Sequence, residues 1–136
     1  MTSRTYELPM PPTRSAYQGQ KVVTARGRTM AIAYITREGK NYWADVQAAV
    51  NAQHPDVGFE EPARLTVDVI AHYNRNAAYD LDNRLKALLD AGTKAGIWGD
   101  DDQIDDLRIR RGSVEKPAYV LVHVSDEVEP LPEETP

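Results

Sequence analysis

The clearest alternation of apolar and polar side chains runs from Arg64 to Tyr73. Leu65, Val67, Val69, Ala71 and Tyr73 fall on one side and Thr66, Asp68, Ile70 and His72 on the other, which predicts a half-buried strand. Residues 118–124 repeat the pattern, with Ala118, Val120, Val122 and Val124 on one face, while 104–111 and 29–35 are shorter β-prone runs. A further strand starts at Thr5 and must stop at Leu8-Pro9-Met10-Pro11-Pro12, where the prolines remove ladder donors. Two windows switch to the helical period. Tyr42, Val46, Ala49 and Val50 share a face behind Thr36, a good N-cap, and Glu38, which the helix dipole favours in a first turn; this helix must stop before Pro55. Leu81, Leu85, Leu88, Leu89 and Ala95 form the second stripe, with Gly96 suited to the left-handed residue that ends a helix and Ile97 to the apolar contact beyond it. Gly92 weakens that helix from within. Residues 13–27 read as a loop or irregular hairpin, and 54–62, 74–79 and 98–102 as connectors. The order β, β, α, β, α, β, β predicts an α+β fold, a small mixed sheet with two main helices packed on it.

A chain of 136 residues is the size of one domain. The boundary expected is a domain over 1–125 and an acidic, disordered tail over 126–136, which carries Asp126, Glu127, Glu129, Glu133 and Glu134 with three prolines and no basic residue. The absence of cysteine excludes a disulfide framework, a thiol nucleophile and a thiolate zinc site. No apolar run approaches the roughly 18 residues of a membrane helix, and residues 1–12 lack the apolar stretch of a signal peptide, so a cytoplasmic, non-membrane protein is expected. The net charge of −5 conceals an asymmetry: residues 1–44 hold seven basic groups against Glu7 and Glu38, a net of +5. A basic arm of this kind keeps a nucleic-acid partner in view despite the acidic total.

Candidate chemistry narrows by elimination. The common phosphate loops, HExxH and the Gly-x-Ser-x-Gly elbow are absent, and His54, His72 and His123 are scattered in the manner of ordinary half-buried histidines. Carboxylates are concentrated in two places. Asp80 and Asp82 stand at the expected start of the second helix, with Lys86 four residues after Asp82, and Asp100, Asp101 and Asp102 follow the helix end. Two readings stay open on pattern alone. The acids can be a cap, a dipole complement, a surface Asp82–Lys86 pair and a solvated turn, or they can converge on a cation. A helix of about 15 residues spans about 22 Å, so convergence requires the chain to double back, a shorter helix, or closure across a dimer.

The strings Asp80-Leu81-Asp82-Asn83, Lys86, Asp90-Ala91, Thr93-Lys94-Ala95-Gly96, Trp98, Asp100-Asp101 and Gln103, with the upstream Leu8-Pro9-Met10-Pro11-Pro12, Tyr17 and Thr36 to Val46, resemble the RusA-like Holliday junction resolvases over about Tyr6 to Val124. The resemblance implies a small homodimeric endodeoxyribonuclease, often of phage or prophage origin, that resolves four-way or branched DNA. It implies that Asp80, Asp82 and Asp101 bind Mg²⁺ and that Lys86 is needed for cleavage. DNA contacts are then expected from Arg14, Lys21, Arg26 and Arg28, from Arg75 ahead of the first aspartate, and from Arg84 inside the signature. The residue types suit this chemistry, since clustered carboxylates repel unless a hard cation neutralises them, and Lys and Arg meet phosphates. A non-cleaving branched-DNA-binding protein of the same fold, and a metal enzyme acting on a small phosphorylated substrate, are the alternatives.

Overall fold

The computed structural model describes residues 2–76 and 80–127. Strand β1 (Ser3–Pro9) leads into a short helix α1 (Arg14–Tyr17), then the antiparallel hairpin β2 (Gln18–Ala25) and β3 (Arg28–Ile35). Helix α2 (Arg37–Gln53), strand β4 (Leu65–His72), helix α3 (Leu85–Ala95), a 3₁₀ turn (Asp101–Gln103), β5 (Ile104–Arg111) and β6 (Tyr119–Ser125) follow. Four strands form one sheet in the order β1-β6-β4-β5, with β4 and β5 parallel and the other neighbours antiparallel; β2 and β3 form a separate two-stranded sheet. The α+β class, the mixed sheet and the two main helices agree with expectation. Two assignments change. Residues 14–17 are helical, and 18–25 form a full strand where a loop or irregular hairpin was expected, because β3 supplies a partner along all eight residues. Helix α3 starts at Leu85 and not near Asp80, since residues 81–84 are occupied by turns.

The alternation read from 64–73 sets the core. Register places Val67 opposite Val124, Val69 opposite Val122 and Ala71 opposite Val120, and β1 adds Tyr6 opposite Val122 and Leu8 opposite Val120. All of these are buried on one face of the sheet, and Tyr42, Val46 and Val50 of α2 with Ala87, Leu88 and Ala91 of α3 cover it. Among the described residues no helix covers the second face. Thr36 caps α2 by accepting from the Gly39 amide at 3.0 Å. The same hydroxyl donates to the Ala16 carbonyl at 2.6 Å, which ties α1 to the start of α2. The hairpin turns through Arg26 and Gly27, both at positive φ (54° and 75°), the two-residue geometry that matches strand twist.

The end of α3 is built as its sequence requires. Gly96 has φ 77°, its amide bonds to the Thr93 carbonyl, and the Ile97 amide reaches back to Gly92 at 2.9 Å. Gly92 has a tertiary reason. A Cβ there would lie 2.3 Å from the ring of Trp98, which is buried and donates through Nε1 to the Thr93 hydroxyl at 2.9 Å. The chain beyond β6 is pinned as far as Glu127. The Asp126 carboxylate accepts from the Thr2 amide at 2.7 Å and the Glu127 amide bonds to the Ser125 hydroxyl at 3.1 Å. The rest of the expected tail, 128–136, lies outside the described residues.

Gly92→Ala is expected to destabilise the fold by about 1–3 kcal/mol, because overpacking against a fixed indole outweighs the roughly 1 kcal/mol that alanine gains in helix propensity. Chemical denaturation of the two proteins measures the difference, and a stabilised variant would refute the packing argument.

Candidate active site

Helix α3 pairs a lysine with a carboxylate, and both act electrostatically on a second carboxylate in the 3₁₀ turn. Lys86, in the first turn of α3, donates to Asp90 Oδ1 at 3.2 Å. The spacing of four therefore pairs Lys86 with Asp90 and not with Asp82. The helix begins only at Leu85, so Asp82 is not on its face. The pair has lysine N-terminal to aspartate, against the dipole, and the two side chains are 54% and 22% exposed. Such a pair contributes at most about 0.3 kcal/mol, so stability is no reason for it.

Asp101, in the 3₁₀ turn, feels the charges of both. Its carboxyl is held above its ordinary range first by burial, then by the charge of Asp100 and the hydrogen bond to it, then by Asp90; Lys86 acts in the opposite direction. Asp101, Asp90 and Lys86 thus share one electrostatic neighbourhood. Asp80 and Asp82 stand ahead of the helix. Asp80 is no N-cap, since Arg84 occupies that position without a side-chain bond, and the carbonyls of Asp80 and Asp82 accept from Asn83 (3.4 Å) and Leu85 (3.2 Å) in successive turns. Among the described residues, the three carboxylates whose oxygens lie within 4.8 Å of one another are Glu61, Asp100 and Asp102, all exposed. Asp80, Asp82 and Asp101 do not form such a closed set within the chain.

The acidic turn is held from below by a neutral side chain. Gln103 is 1% exposed, and all of its polar capacity toward the chain is used. Its Oε1 accepts from the Gly99 and Asp100 amides at 2.8 and 2.9 Å, and its Nε2 donates to the Phe59 and Ala63 carbonyls at 3.2 and 3.0 Å. Asp100 completes the turn by accepting from the Asp102 amide at 3.0 Å. One residue later a register shift between Leu65 and Thr66 leaves Asp105 outside the ladder, where Arg64 Nε bonds both of its oxygens at 3.1 Å.

Asp90 is fixed from its other side. Tyr17, fully buried at the end of α1, donates its hydroxyl to Asp90 Oδ2 at 2.6 Å, and Trp43 Nε1 of α2 donates to that hydroxyl at 3.0 Å. Burial, followed by the bond to Asp90, pushes the Tyr17 phenol up, so it remains a donor. Tyr17, Trp43 and Asp90 carry no chemical signal of their own in the sequence. The hints were their places in the strings that resemble the family and the spacing of four between Lys86 and Asp90.

The basic residues divide by position. Lys21, Arg26 and Arg28 are exposed on the hairpin, and Arg75 is exposed at the bend after β4. Arg14 lies where the backbone meets the acidic segment: its amide bonds to the Asn83 carbonyl at 3.0 Å, and an open polar cleft of about 410 Å³ lies between Arg14, Ser15, Gln18, Gln20 and Asn83. Arg84 is half-buried, donates to the Pro11 carbonyl and lies 5.9 Å from the Tyr73 ring centroid, which joins the proline turn to the entry of α3. A concavity of about 500 Å³ on the sheet face beside Asp68, Arg108, Arg110 and His123 is lined by none of the site carboxylates. The histidines are paired locally: His54 to the Thr5 carbonyl, His123 to the Thr5 hydroxyl and His72 to the Ser113 carbonyl. No helix among the described residues is long and apolar enough to cross a membrane.

Comparison with known proteins follows the same stretch of chain. The family model described as endodeoxyribonuclease RusA matches residues 9–125. The chain is 35% identical over 109 residues to the crossover junction endodeoxyribonuclease rusA of Enterobacteria phage 82, covering 80% of this chain and 82% of that protein. It is 34% identical over 116 residues to the crossover junction endodeoxyribonuclease RusA of Shigella sonnei, and 33% identical over 116 residues to that of Escherichia coli K12, in each case covering 85% of this chain and 88% of the relative.

A carboxyl raised above its ordinary 3.8 is a cost to the fold while it is ionised. The cost is absent below the unfolded value and present in full once pH passes the raised one. Asp101→Asn is therefore expected to raise Tm at pH 7 without divalent cations, and the gain should disappear as pH falls below about 3.8. Thermal scans across that range check the sign, and a lower Tm at pH 7 would contradict it.

Proposed function

This chain belongs to the endodeoxyribonuclease RusA family, and we propose that it is a crossover junction endodeoxyribonuclease that resolves four-way DNA junctions by paired nicks. In this reading it is a Mg²⁺-dependent hydrolase of recombination and repair, a homodimer, cytoplasmic, and encoded by a phage or prophage. The observation that carries the reading is the Lys86–Asp90 pair in the first turns of α3, whose charges act on Asp101 of the 3₁₀ turn, inside the stretch that matches the family.

The donor chemistry fits a hard divalent ion. Asp80, Asp82 and Asp101 offer only carboxylate oxygens, and Asp101 sits among like charges that a cation would offset. We assign the ion to these three. A bound Mg²⁺ would polarise the scissile phosphate and lower the pKa of a coordinated water. The chain's own residues do the rest. Lys86 supplies an ammonium whose charge acts on Asp101 and offsets charge that develops on the phosphate oxygens. Arg14, beside Asn83, and Lys21, Arg26 and Arg28 along the hairpin offer cations for the phosphates of the arms, in a sequence-neutral and salt-dependent way. Arg75 extends that set, and Arg84 contributes by holding the acidic segment against Pro11. The catalytic domain in this reading ends near residue 125, and the acidic tail beyond it serves solubility.

Dimerisation is supported by symmetry and by the hairpin. A four-way junction has approximate two-fold symmetry, which two identical active sites match. Among the described residues no other strand pairs with the β2–β3 hairpin, and a lone two-stranded hairpin is marginally stable in water. One of its faces presents Met30, Ile32 and Tyr34, which are 53%, 39% and 44% exposed. A second copy of the chain is the occupant we assign to that face.

Cleavage of a synthetic four-way junction, a linear duplex and a 5′ flap, with and without Mg²⁺, tests the activity. Asp82→Asn should bind the junction and fail to cut it, Lys86→Ala should cut about 10²-fold more slowly, and Glu61→Gln should cut like the parent. If Glu61→Gln were the inactive variant, the ion would belong to the exposed cluster at the 3₁₀ turn. Ile32→Asp should convert the dimer to a monomer by light scattering, and an unchanged dimer would place the interface elsewhere.

A further inference from the structure

The tether on Asp90 is unexplained by the activity as stated. Asp90 is not in the assigned ion set, yet both of its oxygens are committed. Oδ2 accepts from Tyr17, whose oxygen accepts in turn from Trp43, and Oδ1 accepts from Lys86. The line Trp43–Tyr17–Asp90–Lys86 runs from α2 through the end of α1 to the first turns of α3, and its last member is the only one more than half exposed at its side chain. The buried end is rigidly held. Thr36 binds the Ala16 and Tyr17 carbonyls at 2.6 and 3.1 Å, and the Lys94 ammonium lies 4.8 Å from the centroid of the Trp43 ring. A lysine has four rotatable bonds and a compact charge, and left alone at a surface it samples many directions. A carboxylate fixed by a buried phenol gives it one.

We propose that Asp90 is a positioning residue: held by Tyr17 and Trp43, it fixes the direction of the Lys86 ammonium, so that the cation stands ready where the phosphate arrives. This rests on the reading of Lys86 as the group that meets the phosphate. Asp90 then acts on cleavage only through Lys86, and Tyr17 only through Asp90. Preorganisation of this kind matters for rate, because a charge displaced by an ångström from its working place loses much of its effect on the transition state. Asp90→Asn is the informative variant. The amide oxygen can still accept from Tyr17, which leaves the buried end satisfied, while the amide nitrogen turns donors toward the lysine and breaks the tether.

The test is single-turnover cleavage of a four-way junction by full-length protein at saturating Mg²⁺, for the parent, Asp90→Asn, Lys86→Ala and the double variant, with junction affinity and the Mg²⁺ midpoint measured alongside. Asp90→Asn should slow cutting about 10- to 100-fold with affinity and Mg²⁺ midpoint unchanged, and it should add no further loss to Lys86→Ala, as expected of two residues acting as one unit. Tyr17→Phe should show the same dependence on Lys86. A full additional loss in the Lys86→Ala background would overturn the proposal, and so would a shifted Mg²⁺ midpoint, which would make Asp90 a ligand. Slow cutting by Lys86→Ala with parental cutting by Asp90→Asn would remove the positioning role alone. Parental cutting by Lys86→Ala would remove the role of the lysine and the positioning proposal with it.

Discussion

Three consecutive aspartates are held in one tight turn by an uncharged side chain. At about 4 Å two like charges repel by about 1 kcal/mol even in water and by more beside a protein surface, so Asp100, Asp101 and Asp102 would not cluster without a stronger local constraint. Gln103 supplies it with four hydrogen bonds to backbone on both sides of its own loop and the 59–63 loop. Removing that amide would leave buried backbone groups unpaired at about 1–3 kcal/mol each. A charged residue in its place would have to be desolvated as well. The close of α3 feeds the same latch. Trp98 packs on Gly92, the Ile97 amide bonds back to Gly92, and the Gly99 and Asp100 amides reach Gln103 immediately afterwards.

Topology explains why the middle of α3 becomes the centre of the site. Strands β4 and β5 are parallel, so the connection between them must return the chain along the length of the sheet. At 11 residues α3 is about 16 Å long, and its two ends lie at opposite ends of the crossover. The Asp80–Asn83 turns sit at one end and the 3₁₀ turn at the other. The charges of Lys86 and Asp90, on the helix between them, act on Asp101. Residues one and two turns into α3 are therefore the link between the two acidic segments.

The site also shows a conflict between folding and chemistry. Asp101 is less comfortable as an anion than a carboxylate in water, because burial and the Asp100 and Asp90 charges oppose its ionisation. Lys86 offsets only part of this. An acid group held at a cost in the free protein is one that gains from a bound cation. The Lys86–Asp90 pair follows the same logic. Its orientation on the helix and its exposure leave it little value as a stabilising ion pair, so its place is better understood through the direction it imposes on the lysine.

Much of this protein was legible without coordinates wherever a local rule applied. Period-2 alternation in 64–73 and 118–124 marked the strands whose valines meet across the core, Thr36 marked the start of α2, and Gly96 with Ile97 marked the end of α3, because each depends on bonds between near neighbours in the chain. The signature from Asp80 to Gln103 located the acidic residues and, by resemblance, the family. Tertiary structure decided the rest. The first register of α3 moved to Leu85 because turns occupy 81–84, which separated Asp82 from Lys86 and paired Lys86 with Asp90. Residues 18–25 became a strand because β3 was available to pair with them. Tyr17, Trp43 and Gln103 acquired their roles through partners 73, 26 and 40 or more residues away. Periodicity and spacing carry information about one element at a time, whereas a hydrogen bond between elements depends on how they pack, and only the folded chain brings those groups within reach of one another.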